Sequence, residues 1–179
     1  MLSAKNEALY REAERRGRSD LRDIKLCATV LSLASAIEAD CARRLSRHQL
    51  SDSKFVMLIV LHEAKDGLAP NELATRCGVT RATMTGLIDG LERDGLARRM
   101  ADDKDRRSVK IRLSDRGEDL ARTVFDEHAE WLGSVFGRLD GAQSELLLAL
   151  AQAVWRNTDA GRTQADTVPD GVSICADFT

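Results

Sequence analysis

Proline is almost missing from this chain, with two in 179 residues, and aromatic side chains make up only 4%. A β-sandwich or barrel draws on aromatic and β-branched strands punctuated by turn residues, so these shortages argue against an all-β protein. Apolar runs are short as well. None approaches the roughly 20 residues that a bilayer span needs. The first twenty residues are charged and lack the apolar core of an export signal, so the expected location is the cytoplasm, with no membrane partner. Cys27, Cys41, Cys77 and Cys175 form no C-x-x-C pair and no zinc-ribbon spacing. In a reducing compartment they are expected as free thiols. His48, His62 and His128, even with Glu63, Glu127 and Cys41, show no H-E-x-x-H or similar spacing, so no metal site is expected. There is no glycine-rich phosphate loop, no nucleophile elbow and no pair of catalytic carboxylates. An enzyme is therefore not expected, nor a cofactor.

What the chain does contain is Ala, Leu, Arg, Asp and Glu in abundance, the composition of a mainly α protein. Its 43% hydrophobic content is enough for a real core in one domain with extensions. The net charge of −2 conceals an uneven distribution. Residues 76–122 carry twelve Lys/Arg against nine Asp/Glu, whereas residues 123–179 carry three against nine. A basic middle is compatible with a nucleic-acid face, although a solvated surface of mixed charge has the same composition.

Residues 1–20 read as a polar helical extension with Leu9 and Tyr10 as its few anchors. From about 21 to 47, Ile24, Cys27, Leu31, Ala34, Ile37, Cys41 and Leu45 recur at steps of three and four. Leu26, Val30 and Leu33 make a second apolar flank, which predicts contacts beyond the domain's own core. Ser51 is an N-cap candidate for the next helix, which Asp66-Gly67 stops. Pro70 precedes a short helix over 71–77, closed by Gly78. Thr80 caps a helix over 81–93. A strand is expected over 96–100, then a charged turn over 101–107. Val109, Ile111 and Leu113 alternate with Lys110 and Arg112 as in a half-buried strand. Ser114-Asp115 starts a helix to about 138, and Asp140 or Gly141 starts the last one, to about 157. Residues 158–179 read as an irregular tail.

Helix, tight turn, helix and two strands around a charged turn make a winged helix-turn-helix, whose second helix enters the DNA major groove. At 100° per residue, Met84, Leu87, Ile88 and Leu91 share one face of the helix after Thr80, which must be core. The opposite face then carries Ala82, Gly86, Asp89 and Arg93, flanked by Thr83 and Thr85. Ala82 and Gly86 allow close approach to base edges, while Arg81, Thr83 and Thr85 reach phosphates or bases. The amides at the helix start beside Thr80 suit a phosphate. Asp89 opposes a polyanion unless paired, and Arg93, one turn on, is the expected partner. At the hairpin tip, Arg106 suits a minor groove, with Asp105 holding it by a bidentate pair and Arg107 beside it. Taken alone, that turn is equally a solvated charged hairpin.

From Leu73 to Gly117, the stretches LATRCGVTRATMTGLIDGLERDGL and DDKDRRSVKIRLSDRG closely resemble the MarR family of bacterial regulators. More loosely, the resemblance covers about residues 21–157. It implies a winged helix over about 51–114 and a helical dimerisation domain from about 21–50 and 115–157. It also implies a homodimer on a palindromic double-stranded DNA operator, usually a repressor released by a small-molecule effector or an oxidant. Family DNA contacts map onto Thr80, Arg81, Thr83 and Thr85, and onto Asp105, Arg106 and Arg107 of the wing. Gly90 departs from the family, where Arg or Lys is frequent, which removes one phosphate contact.

Cys27, in the phrase KLCATVLSLASA, resembles the position of the sensing cysteine in the hydroperoxide-responsive branch of the family. That branch places tyrosines nearby. Here the only tyrosine is Tyr10, and Cys41 and Asp52 stand where aromatic partners are expected. Cys27 is therefore expected as a core cysteine in preference to an oxidant sensor, because a buried thiol without a donor or cation keeps a high pKa. Cys41 lies fourteen residues further along the same helix, about 21 Å away, too far to bridge. Trp131 and Trp155 are expected in a dimer core. A winged helix used only for protein contacts is the remaining alternative.

Overall fold

The structure is a computed structural model that describes residues 2–101 and 109–167. The chain divides into two compact units, Met1–Ala129 and Glu130–Thr179.

In the first unit, α1 spans Ala4–Arg15, α2 Leu21–Ser46, α3 Asp52–Glu63, α4 Pro70–Arg76 and α5 Arg81–Arg93. Strands β1 (Ala97–Ala101) and β2 (Val109–Leu113) follow, and then α6 (Asp115–Phe136), which begins in the first unit and ends in the second. The helix starts are written in the sequence. The hydroxyls of Ser51, Thr80 and Ser114 accept from the amides of Lys54, Thr83 and Gly117 at 3.3, 3.2 and 3.0 Å. Each such cap contributes about 1 kcal/mol. Pro70 occupies the first turn of α4, where its missing N–H costs nothing. Gly78 takes φ +65° and turns the chain from α4 into α5, a conformation that L side chains rarely adopt.

The strands pair antiparallel, with Ala97 opposite Leu113 and Ala101 opposite Val109. Leu68 adds an isolated bridge to the two-stranded sheet by exchanging two backbone hydrogen bonds with Ile111, at 3.1 and 2.8 Å. The first strand starts one residue later than the pattern predicts, because the Leu96 amide is committed to closing α5 on Leu91 O. Val109 is also exposed, unlike Ile111 and Leu113, which lie in the core.

One apolar core fills this unit. Leu45, Phe55, Leu58, Leu61, Leu73, Met84, Ile88, Leu91, Ile111, Leu113 and Val124 all belong to it. Two histidine–carboxylate pairs fasten α6 to earlier segments of this unit: His48, in the turn after α2, to Glu127 at 2.8 Å, and His62 of α3 to Glu118 at 2.5 Å.

The N-terminal residues are more than an extension with anchors at Leu9 and Tyr10. Leu9 is exposed, and the docking is polar. Buried Asn6 on α1 donates from Nδ2 to Ala28 O at 3.1 Å and to Ser32 Oγ at 2.8 Å on α2. The Ser3 amide donates to the same Ser32 oxygen at 2.9 Å, and Ala13 is buried. Tyr10 does contribute at the edge, with the Lys25 ammonium 5.9 Å from its ring centre. Hydrophobic periodicity cannot reveal a clasp made of amides and hydroxyls.

In the second unit, α7 spans Gly141–Trp155 and α8 Asp159–Thr167. Asp140 and Gln143 form a reciprocal capping box at the start of α7, with bonds of 2.8 and 3.1 Å. Helix α8 corrects the reading of an irregular tail from residue 158. The Thr158 hydroxyl accepts the Gly161 amide at 3.1 Å and nucleates a further helix. The remainder of the tail, including Cys175, lies outside the described residues. Trp131 is buried within this chain, whereas Trp155 is exposed, and α7 buries none of its residues. Among the described residues, no helix is long and apolar enough to cross a membrane.

Candidate nucleic-acid interface

Helix α5 presents the face that its periodicity predicts. Met84, Ile88 and Leu91 are buried in the core, while Leu87 is only half-buried at its margin. Arg81, Ala82, Thr83, Thr85, Gly86, Asp89 and Arg93 are all exposed. A Cβ added at Gly86 would meet nothing within 4 Å, so the backbone here is open to an approaching surface. Two of the threonines are locally held. The Thr83 hydroxyl lies 2.9 Å from that of Thr80, and the Thr85 hydroxyl donates to Arg81 O at 3.1 Å. Thr80 takes the Thr83 amide, leaving those of Arg81 and Ala82 at the open, partially positive end of the helix.

Asp89 is paired, but not by Arg93. Its carboxylate accepts from Arg99 of β1 at 2.7 Å, and Arg99 also bonds Glu92. The hydrogen bond that Arg99 donates to Asp89 leads in holding its guanidinium above its ordinary pKa, and the charges of Glu92 and Asp89 add to this. The sequence reading missed Arg99 because the hairpin, and not helical spacing, brings β1 back along α5. No local signal marks a contact between residues ten apart in different elements.

Gly90 is buried, and a Cβ there would come 3.2 Å from Cε of Lys54 on α3. The same lysine pairs with Asp94, the C-cap of α5, at 2.6 Å. Asp105, Arg106 and Arg107 lie outside the described residues. The strands leading to them place Arg98 opposite Arg112, so the hairpin itself is basic.

The cysteines separate clearly. Cys27 is exposed in this chain, which corrects its reading as a core residue: α2 turns Ala28 and Ser32 toward α1 and leaves Cys27 outside. Cys41 Sγ lies 3.8 Å from Nε2 of His128. Burial, helped by the Asp52 charge, pushes the Cys41 thiol above its ordinary pKa, and burial does the same to Cys77. Both therefore stay protonated and slow to react. Among the described residues, no group of three His, Cys, Asp or Glu is placed to hold a metal ion.

A short helix, a glycine turn, a second helix with an exposed face of small and polar residues, and a basic two-stranded hairpin define a winged helix-turn-helix protein. Comparison with known proteins narrows this. Residues 50–109 match the MarR family model. The chain is 28% identical over 147 residues to the HTH-type transcriptional repressor YetL of Bacillus subtilis, covering 82% of this chain and 88% of that protein. It is 30% identical over 113 residues to the HTH-type transcriptional regulator PecS of Dickeya dadantii, covering 62% of this chain and 68% of that one. In fold it is similar to Streptococcus pneumoniae FabT, solved in complex with DNA, with a TM-score of 0.65 at 17% identity over 74% of this chain and 94% of that one. The chain belongs to the MarR family of transcriptional regulators, and is not an enzyme.

Proposed function

We propose that the protein is a cytoplasmic, homodimeric transcriptional repressor that binds a palindromic double-stranded operator and is released by a small-molecule effector. The observation that carries the reading is the outward face of α5, open over Gly86 and bordered by Arg81, Thr83 and Thr85. In this reading, α5 enters the major groove. Arg81, Thr83 and Thr85 make base and phosphate contacts, Ala82 and Gly86 set the closeness of approach, and Arg93 meets the backbone. Thr80 offers its helix end to a phosphate. The wing follows the adjacent minor groove through Arg106, with Asp105 orienting it and Arg107 on the phosphates.

The dimer is supported by apolar surface that one chain leaves uncovered. Leu26, Val30, Leu31 and Leu33 are exposed on α2, and Leu146, Leu148, Leu150 and Val154 on α7. Patches of this kind mark interaction surfaces.

The test is to incubate the purified protein with sheared genomic DNA from the source organism and sequence what it retains. A few enriched fragments sharing an inverted repeat, with affinity falling steeply as salt rises, is the expected result. Uniform retention of all sequences, or none at any salt, overturns it.

A further inference from the structure

The middle of the outward face of α5 is short of groups that read bases by hydrogen bonding. The helix, RATMTGLIDGLER, has no Asn, Gln or Lys, and its two arginines are its first and last residues, about 18 Å apart along the axis. Between them the exposed positions are Ala82, Thr83, Thr85, Gly86 and Asp89.

The polar groups among these are already engaged. A carboxylate at 89 is an acceptor for the amino group of cytosine, but Arg99 holds it at 2.7 Å. The Thr85 hydroxyl has one proton and donates it to Arg81 O at 3.1 Å, within the helix. The Thr83 hydroxyl belongs to the helix cap, 2.9 Å from that of Thr80, whose oxygen also accepts the Thr83 amide.

What remains for a base edge is hydrocarbon. The methyl of Ala82 and the γ-methyl of Thr85 belong to positions three residues apart, which are neighbours on a helix surface, and the open backbone of Gly86 lies beside them. In the major groove, the base feature that such a surface distinguishes is the C5-methyl of thymine. Packing one methyl on another removes both from water, so the contact favours thymine without a hydrogen bond.

We propose that α5 reads the centre of each operator half-site through thymine methyl groups, packed on Ala82 and Thr85, in place of hydrogen bonds to base edges. The proposal rests on the reading of the protein as an operator-binding regulator, and it names the base feature that the recognition helix selects. The threonine at 85 then acts through its methyl, while its hydroxyl serves the helix.

The experiment is a binding titration of the full-length protein at one salt concentration. The probes are an operator duplex taken from the retained genomic fragments and the same duplex with 2′-deoxyuridine replacing each half-site thymidine in turn. Uracil pairs as thymine does and lacks only the C5-methyl. At one or more positions in each half-site, the uracil duplex should bind at least threefold more weakly. Thr85→Ser keeps the hydroxyl and removes the methyl, so at the position it contacts it should bring the thymine-to-uracil affinity ratio close to one. Thr85→Val keeps a methyl and loses the hydroxyl, so the ratio should persist. Melting curves establish that both variants are folded. Equal affinities for thymine and uracil at every position overturn the proposal, and so does a ratio that Thr85→Ser leaves untouched at every position. A protein that retains fragments sharing an inverted repeat but treats uracil as thymine defeats this inference alone. One that retains no fragment at any salt defeats the regulator reading and this inference with it.

Discussion

Arg99 of β1 reaches back 2.7 Å to Asp89 on the exposed face of α5. The pair removes a negative charge from the surface proposed to meet DNA. The two side chains are 41% and 49% exposed, so the pair contributes only about 0.2–1 kcal/mol to stability. Arg99→Ala should therefore lower DNA affinity far more than stability. A binding titration at fixed salt, beside a melting curve, checks this. A large fall in melting temperature with affinity intact would show that Arg99 serves the fold instead.

Gly86 and Leu91 sit on opposite sides of the same helix. Gly86→Glu should abolish DNA binding through bulk and charge while leaving stability equal or slightly raised, because glycine is a poor helix residue and open space surrounds it. Leu91→Ala should cost about 2–5 kcal/mol of stability, since Leu91 is fully buried. The half-buried Leu87 should cost less than Leu91 when cut to alanine. Urea unfolding and gel-shift titration separate the two effects.

Arg106→Ala tests the wing. If Arg106 occupies a narrow minor groove, operator binding should weaken by roughly 1–3 kcal/mol with the melting temperature unchanged. Equal affinities for the variant and the parent protein would remove the wing from the interface.

His128 should make stability depend on pH. Burial, with help from the Arg44 charge and against the pull of Asp52, lowers its pKa below the ordinary imidazole value. The folded ring thus stays neutral at pH values where the unfolded chain takes a proton, below about 6.5. Its contribution is complete above that pH and is lost as the pH falls toward the depressed folded value. Melting temperatures between pH 7.5 and 5 should fall more steeply for the parent protein than for His128→Gln. Parallel curves would discard this assignment.

The exposed leucines of α2 and α7 predict twice the 19.7 kDa chain mass in solution. Light scattering at micromolar concentration should report a dimer. A mass near that of one chain would leave those leucines without a covering partner.

What the sequence makes legible is what repeats or caps. The period of Met84, Ile88 and Leu91 sets the phase of α5, and Ser51, Thr80 and Ser114 mark helix starts that the structure keeps. What it hides is contact between polar groups distant along the chain. Asn6 to Ser32, Lys54 to Asp94 and Arg99 to Asp89 each join separate elements through a hydrogen bond or charge. Such groups carry no periodicity, and on a helical wheel they are indistinguishable from solvated residues. Cys27 shows the opposite case: it shares an apolar stripe with Leu45, but only Leu45 lies in the core, and Cys27 is exposed in this chain.

The bare backbone at Gly90 has a consequence for how this protein changes over time. A Cβ at 90 would stand 3.2 Å from Cε of Lys54, so alanine there needs only a small shift of the lysine side chain, while a longer residue needs a larger one. Positions 54 and 90, on different helices, are therefore not free to vary separately. A lineage that acquires a long basic side chain at 90 must first, or at once, shorten or redirect the one at 54, and a single step in the wrong order crowds the recognition helix. Among homologues the two sites should trade bulk, with lysine at 54 accompanying glycine or alanine at 90, and smaller residues at 54 accompanying arginine or lysine there.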